Sequence, residues 1–212
     1  MDLGFSRYAG KGEGEVSLLR RIWAVLAPGD VLLADRRWLW KGRRVYLFDG
    51  TTVTMPDTLE NQAAYPQVYN QGPGLGFPIA RIGAVISLAC GAVMNLGFCR
   101  YAGKGQGEVS LLRRLWGLLA PGDVILADRL TANWVTIHML QQRGVGLVSR
   151  LNKAHRRADF RRGRRLGHED HVVRWAKPTS IRSLDREAYR TLPDAITVRE
   201  ARVRVAQRGF RT

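Results

Sequence analysis

Cysteine is nearly missing from this chain: Cys90 and Cys99 are the two in 212 residues. Two thiols exclude a disulfide scaffold and a four-cysteine zinc site. No run of about 18 apolar residues is present, so no membrane partner and no spanning helix are expected. The start, Met1-Asp2-Leu3-Gly4, lacks the basic and then apolar segments of a signal peptide. Acid is scarce as well. Eighteen Asp and Glu stand against 34 Lys and Arg, a net charge of +16. An excess of that size directs attention to a polyanionic partner, with nucleic acid first in line. The rest is ordinary globular usage, 45% hydrophobic and 25% charged, at a length of one or two domains with ample core.

The positive charge is concentrated. Residues 150–212 hold 18 Lys and Arg against 7 Asp and Glu, a net of +11 in 63 residues. Arg150, Lys153, Arg156, Arg157, Arg161, Arg162, Arg164 and Arg165 crowd one 16-residue window, where Asp159 is the single acid. Phosphates relieve such self-repulsion by giving up their counterions. The guanidinium fork suits phosphate better than an ammonium does. A solvated loop is the competing reading of the same run.

An internal repeat stands out. Residues 1–36 and 94–129 match at an offset of 93, with seven differences in 36 positions, and the likeness stops abruptly after Arg36 and Arg129. A solenoid would repeat more often and diverge gradually. Two near-identical copies with a sharp edge point to duplication or a gene junction, so residues 1–36 are read as a copy and not as a native domain. Val16, Leu19, Trp23 and Leu26 keep helical spacing there, which predicts a helix over 15–26, peripheral to the fold.

The remaining pattern is that of an α/β domain with a mixed sheet. Residues 44–49 form a strand ending at Asp49, and residues 56–78 read as a long loop. Residues 79–88 and 92–101 make a hairpin across Cys90-Gly91. A helix opens at Glu108 with Val109, Leu112, Trp116 and Leu119 on one face, and Pro121-Gly122 stops it. Residues 123–127 are a buried strand that delivers Asp128. Asn133 caps a second helix carrying Trp134, Ile137 and Leu140, Gly144 ends it, and 145–149 is a further strand. Beyond this, 171–175 and 196–205 alternate apolar and charged residues, so the basic segment is expected to be antiparallel β.

Asp49 and Asp128 close two strands 79 residues apart, where an α/β sheet presents chemistry. Converging carboxylates hold magnesium or manganese, which prefer hard oxygen ligands, and metals so held assist phosphodiester chemistry. Each aspartate taken alone reads better as a turn or cap residue.

The words around them carry a resemblance. Phe48-Asp49-Gly50-Thr51-Thr52, PIARIGAVISL (78–88), Leu126-Ala127-Asp128-Arg129, LVSRLNKAHRRADF (147–160) and KPTSIRSLDREAY (177–189) resemble the DDE transposases of bacterial insertion sequences, in the branch called family four. The resemblance spans about residues 40–212. It implies a ribonuclease H-like catalytic core over 40–150, interrupted by a β-rich insertion that here is the basic region 151–212. It also implies binding to the ends of an insertion element and metal-dependent DNA transposition, in which DNA strands are cut and joined. Asp49 and Asp128 would be the first two catalytic, metal-binding acids, with magnesium or manganese as cofactor. A cytoplasmic, nucleoid-associated location follows, and self-association stays open.

The family's third acid is a glutamate within Tyr-x2-Arg-x3-Glu-x6-Lys. None of the six tyrosines here has arginine three residues on, so no third acid is found and the chain is expected to stop within or just after the insertion. Glu108, Glu169, Glu187 and Glu200 lack that context, and Asp35, the copy of Asp128, is read as vestigial. The chain alone is therefore expected to be catalytically incomplete. The alternative is a non-enzymatic DNA-binding remnant of a truncated, rearranged transposase gene. His168-Glu169-Asp170-His171 lacks zinc-site spacing and reads as a polar turn. Cys99 reads as a buried thiol, and Trp116 and Trp134 as core.

Overall fold

The computed structural model describes residues 39–204 apart from 71, 73, 153–155 and 182. The copy over 1–36, with Asp35, and Lys153 of the basic window lie outside these residues. The order is β1 (Val45–Thr54), α1 (Leu59–Ala64), β2 (Ile79–Ser87), β3 (Val93–Arg100), α2 (Glu108–Leu115), β4 (Val124–Ala127), α3 (Trp134–Gln142), β5 (Gly146–Ser149), β6 (Arg164–Gly167), β7 (Asp170–Ala176), α4 (Arg186–Arg190) and β8 (Ala195–Ala201). A five-stranded sheet runs β3-β2-β1-β4-β5, and a three-stranded sheet runs β6-β7-β8. In the first sheet β1, β2 and β3 are antiparallel neighbours, while β4 and β5 join parallel to β1. This is a mixed α/β fold.

Side-chain alternation divides the large sheet into two faces. Tyr46 and Phe48 of β1, Val85 of β2, Cys99 of β3 and Ile125 of β4 point to one face. There they meet Leu111, Leu112 and Leu115 of α2, followed by Trp116 and Leu119. Backbone closeness makes that contact possible. A Cβ on Gly83 would lie 2.7 Å from Leu111, and one on Gly97 would lie 3.0 Å from both Leu111 and Leu115. Leu112, Trp116 and Leu119 of the expected face are buried, joined by Leu111 and Leu115, while Val109 is half-buried and the helix itself ends at Leu115, before Pro121. The reason for the added pair is steric, since the glycines of β2 and β3 admit large residues at 111 and 115.

Other expectations are met closely. The hairpin pairs Ala80 with Arg100 through to Ile86 with Val93. Asn133 caps α3, its side chain accepting from Thr136 N at 3.0 Å, and Gly144 turns the chain at φ +69°. Replacing Asn133 by alanine is expected to lower stability by about 1 kcal/mol, read as a reduced denaturation midpoint with unchanged m. The loop 56–78 contains the one-turn-and-a-half helix α1, capped by Thr58, which the proline and glycine punctuation concealed.

The second sheet packs on the first through α3. Trp134, Val135 and Ile137 meet Trp175 of β7 and Ile196 of β8, and the Trp134 indole donates to the Trp175 carbonyl at 3.0 Å. Antiparallel pairing of β7 and β8 runs from Asp170–Ala201 to Ala176–Ala195, as the alternation of that segment predicted. Among the described residues no helix is long and apolar enough to cross a membrane.

Candidate functional site: two aspartates and an arginine-bearing sheet

Asp49 does not end its strand. It is the fifth residue of ten in β1 and is exposed. The difference arises because β2 continues to pair with β1 out to Thr54, whereas the parallel partner β4 leaves sooner. The last β1–β4 partners are Leu47 and Leu126; β4 ends at Ala127, and Asp128 is the exposed residue that follows it. Neighbouring strands lie about 4.8 Å apart. Tyr46 with Ile125 share the helix-covered face, so Leu47 with Leu126 and, by alternation along β1, Asp49 belong to the opposite one.

Each carboxylate accepts from the backbone N–H of the residue that follows it. Asp49 Oδ1 accepts from Gly50 N at 2.8 Å, and Asp128 Oδ1 accepts from Arg129 N. The second oxygen of each is left for another ligand. Arg150, whose side chain is highly exposed, approaches Asp128 Oδ1 at 3.8 Å. Carboxylate oxygens are the hard donors that magnesium and manganese prefer, with water completing an octahedral shell. Arg150 opposes that occupancy by charge.

Among the described residues, none of Glu108, Glu169, Glu187 and Glu200 joins them. Glu108 faces the helix-covered side, where a Cβ on Gly50 would touch it at 3.0 Å, and it pairs with Arg81 at 3.2 Å. Glu169 bonds Arg202, Glu187 is exposed on α4, and Glu200 is committed within the second sheet. Among the described residues no group of three or more His, Cys, Asp and Glu converges.

The basic window surrounds β6. Arg161 grips Asp159 with two hydrogen bonds, at 2.8 and 3.2 Å, and Arg162 reaches the same carboxylate at 3.2 Å. Hydrogen bonding from Arg161 is the main reason that the Asp159 carboxyl is held down at about 2. Arg157 is exposed, as are Arg164 and Arg165 on β6. Arg156 instead lies over the Trp175 ring at 4.5 Å.

Register shows what the linear window omitted. Arg164 pairs with Val172, Val172 with Arg199, and Arg174 with Thr197. Exposed Arg164, Arg174 and Arg199 therefore share the outer face of the small sheet, although Arg199 also pairs with Asp170. The period-two alternation of 170–176 and 195–201 held this information, but charge density alone did not reveal it.

Within His168-Glu169-Asp170-His171, the first two residues are the turn between β6 and β7, with Glu169 at φ +51°, and Asp170 and His171 begin β7. His168 is exposed while His171 is buried, and both His171 ring nitrogens already have partners. Cys99 is buried, with its Sγ 3.2 Å from the Gln106 carbonyl.

Compared with protein-family models, characterised proteins and solved structures, the chain matches none of them.

Proposed function

We propose that this chain is a DDE transposase polypeptide that binds DNA through the arginines of its second sheet and holds a divalent ion between Asp49 and Asp128. One observation carries the reading: Asp49 within β1 and Asp128 just after β4, 79 residues apart, are both exposed, and β1 and β4 are parallel neighbours. The sheet order β3-β2-β1-β4-β5, antiparallel on one side and parallel on the other, supports a ribonuclease H-like core. When bound, magnesium or manganese would supply charge neutralisation for attack on a phosphodiester.

What the chain's own residues contribute is narrower. Asp49 and Asp128 bind the ion, the arginines of β6 and its flanks hold the phosphate backbone, and Arg150 tempers the charge of Asp128. Without a third carboxylate in the described residues, strand cleavage and joining would need an acid from elsewhere. That same observation favours the second reading, a DNA-binding remnant without catalysis.

Manganese titration of the full chain, followed by paramagnetic resonance, tests the ion site. Wild type should bind roughly at millimolar concentration, since two carboxylates leave the ion mostly hydrated. Asp49→Asn and Asp128→Asn should each abolish specific binding. Arg150→Ala should tighten it by up to about fivefold, the range of an exposed ion pair. Equal binding by wild type and both asparagine variants would remove the aspartates from any metal role.

A further inference from the structure

His171 sits on β7, the central strand of the small sheet, and is 1% exposed. Its Nδ1 is 2.6 Å from the carbonyl oxygen of Arg162. A carbonyl only accepts, so Nδ1 carries a hydrogen. Its Nε2 is 2.8 Å from Glu200 Oε2, and the other oxygen of that carboxylate accepts from the Trp175 indole at 2.7 Å. A neutral imidazole has one N–H. Satisfying both acceptors takes the imidazolium, which the ionised Glu200 stabilises.

The Arg162 carbonyl belongs to the turn that presents the basic window. Phe160 of that turn packs on the His171 ring at 4.9 Å, and Arg202 covers Phe160 at 5.3 Å. Asp159 draws Arg161 and Arg162 together. The charged groups around His171 are Glu200 on β8, Asp159 in the turn and its neighbour Asp170 on β7, with Arg165 of β6 opposite it in register. Arg156 on Trp175 and Arg202 on Phe160 complete the surroundings.

The geometry points to His171 as the positioning residue of the arginine turn: doubly donating, it pins the Arg162 carbonyl, and loss of one proton releases the turn. After that loss one N–H must serve two acceptors. The bond to the charged carboxylate is the stronger of the two, so the carbonyl is the partner given up. Hydrogen bonding to Glu200, more than any other cause, raises the His171 pKa above its usual 6.5. The stabilisation is therefore complete below about 6.5 and disappears as pH rises through the higher folded value. A phosphate backbone on Arg161 and Arg162 would favour the protonated form, and by reciprocity protonation would favour the backbone. The polyanion rests on the DNA-binding reading above; the pinning of the turn does not.

Nitrogen NMR of the imidazoles in the full chain, from pH 5.5 to 9.5, reads the protonation of His171. Amide exchange at Arg162, which donates to the Asp159 carbonyl at 3.0 Å, reads the turn. After correction for intrinsic exchange, Arg162 should exchange roughly tenfold faster once His171 has titrated. Glu200→Gln should move both changes together to lower pH, and His171→Gln should leave Arg162 exchange independent of pH. Affinity for a random duplex should fall about three- to tenfold across the wild-type transition, and not in His171→Gln. Arg162 exchange that ignores the His171 titration in both wild type and Glu200→Gln would overturn the inference. A turn that follows the titration, in a chain that binds no DNA at any pH, would instead overturn the DNA reading alone.

Discussion

Replacing Arg161, Arg162, Arg164 and Arg165 together by alanine is expected to weaken duplex binding roughly 100-fold at about 0.1 M salt, on every sequence alike. Phosphate contacts release counterions and carry no base information, so log affinity should fall with log salt less steeply by about 3 to 4 in slope. All four side chains stand in solvent on β6 and the turn before it, and their removal empties no core. A thermal denaturation curve close to wild type should accompany the loss. Filter binding across a salt series measures both quantities. Unchanged affinity and slope would leave the run as a solvated loop. An added Arg174→Ala should then cost about one further unit of slope if the outer face of the small sheet is part of the same contact, because Arg174 lies on that face with Arg164.

The second large effect belongs to Gly163. It holds φ +76°, and a Cβ there would lie 2.3 Å from the backbone oxygen of Val172. Left-handed strain alone is about 1–2 kcal/mol for an L side chain. Backbone cannot yield as a flexible side chain would, so Gly163→Ala should cost roughly 3 kcal/mol or more. That corresponds to a melting temperature lower by about 6–12 °C for a chain of this size. Gly42→Ala is the control. It shares a positive φ, +78°, but has nothing within 4 Å, so its cost should stay near the strain term alone. Equal losses for the two would mean that the close approach of the turn to β7 is not tight. The consequence for DNA contact is direct, since residue 163 joins the Asp159–Arg162 turn to β6.

Much of this architecture was legible because its causes are local. Asn133 before an apolar helix, Gly144 after it, and Cys90-Gly91 between two apolar runs each describe a turn or cap that a few neighbouring residues decide. Alternation in 171–175 and 196–205 likewise foretold the antiparallel pairing. The misread points share another cause. Asp49 looked like a strand end because Gly50-Thr51-Thr52 reads as a turn, yet pairing with β2 carries the strand through them. The buried face of α2 is wider than its spacing showed because Gly83 and Gly97, distant in sequence from the helix, leave room for Leu111 and Leu115 beside Leu112.

The candidate site divides in the same way. Residue types alone marked Asp49, Asp128 and the arginines, since hard-oxygen donors and clustered guanidinium groups announce their chemistry through composition. The sequence by itself also determined the net charge of +16, the repeat, and the order of strands and helices from Val45 to Ser149 apart from α1. Only the tertiary structure decided that β4 joins β1 in parallel, and that Glu108 lies on the helix-covered side of the sheet while Asp49 lies on the other. It alone brought His171 to Glu200, 29 residues away, beneath the turn of Arg162. Strand pairing across such separations is chosen by which apolar faces can be buried together, and that choice belongs to the whole chain and to no short stretch of it.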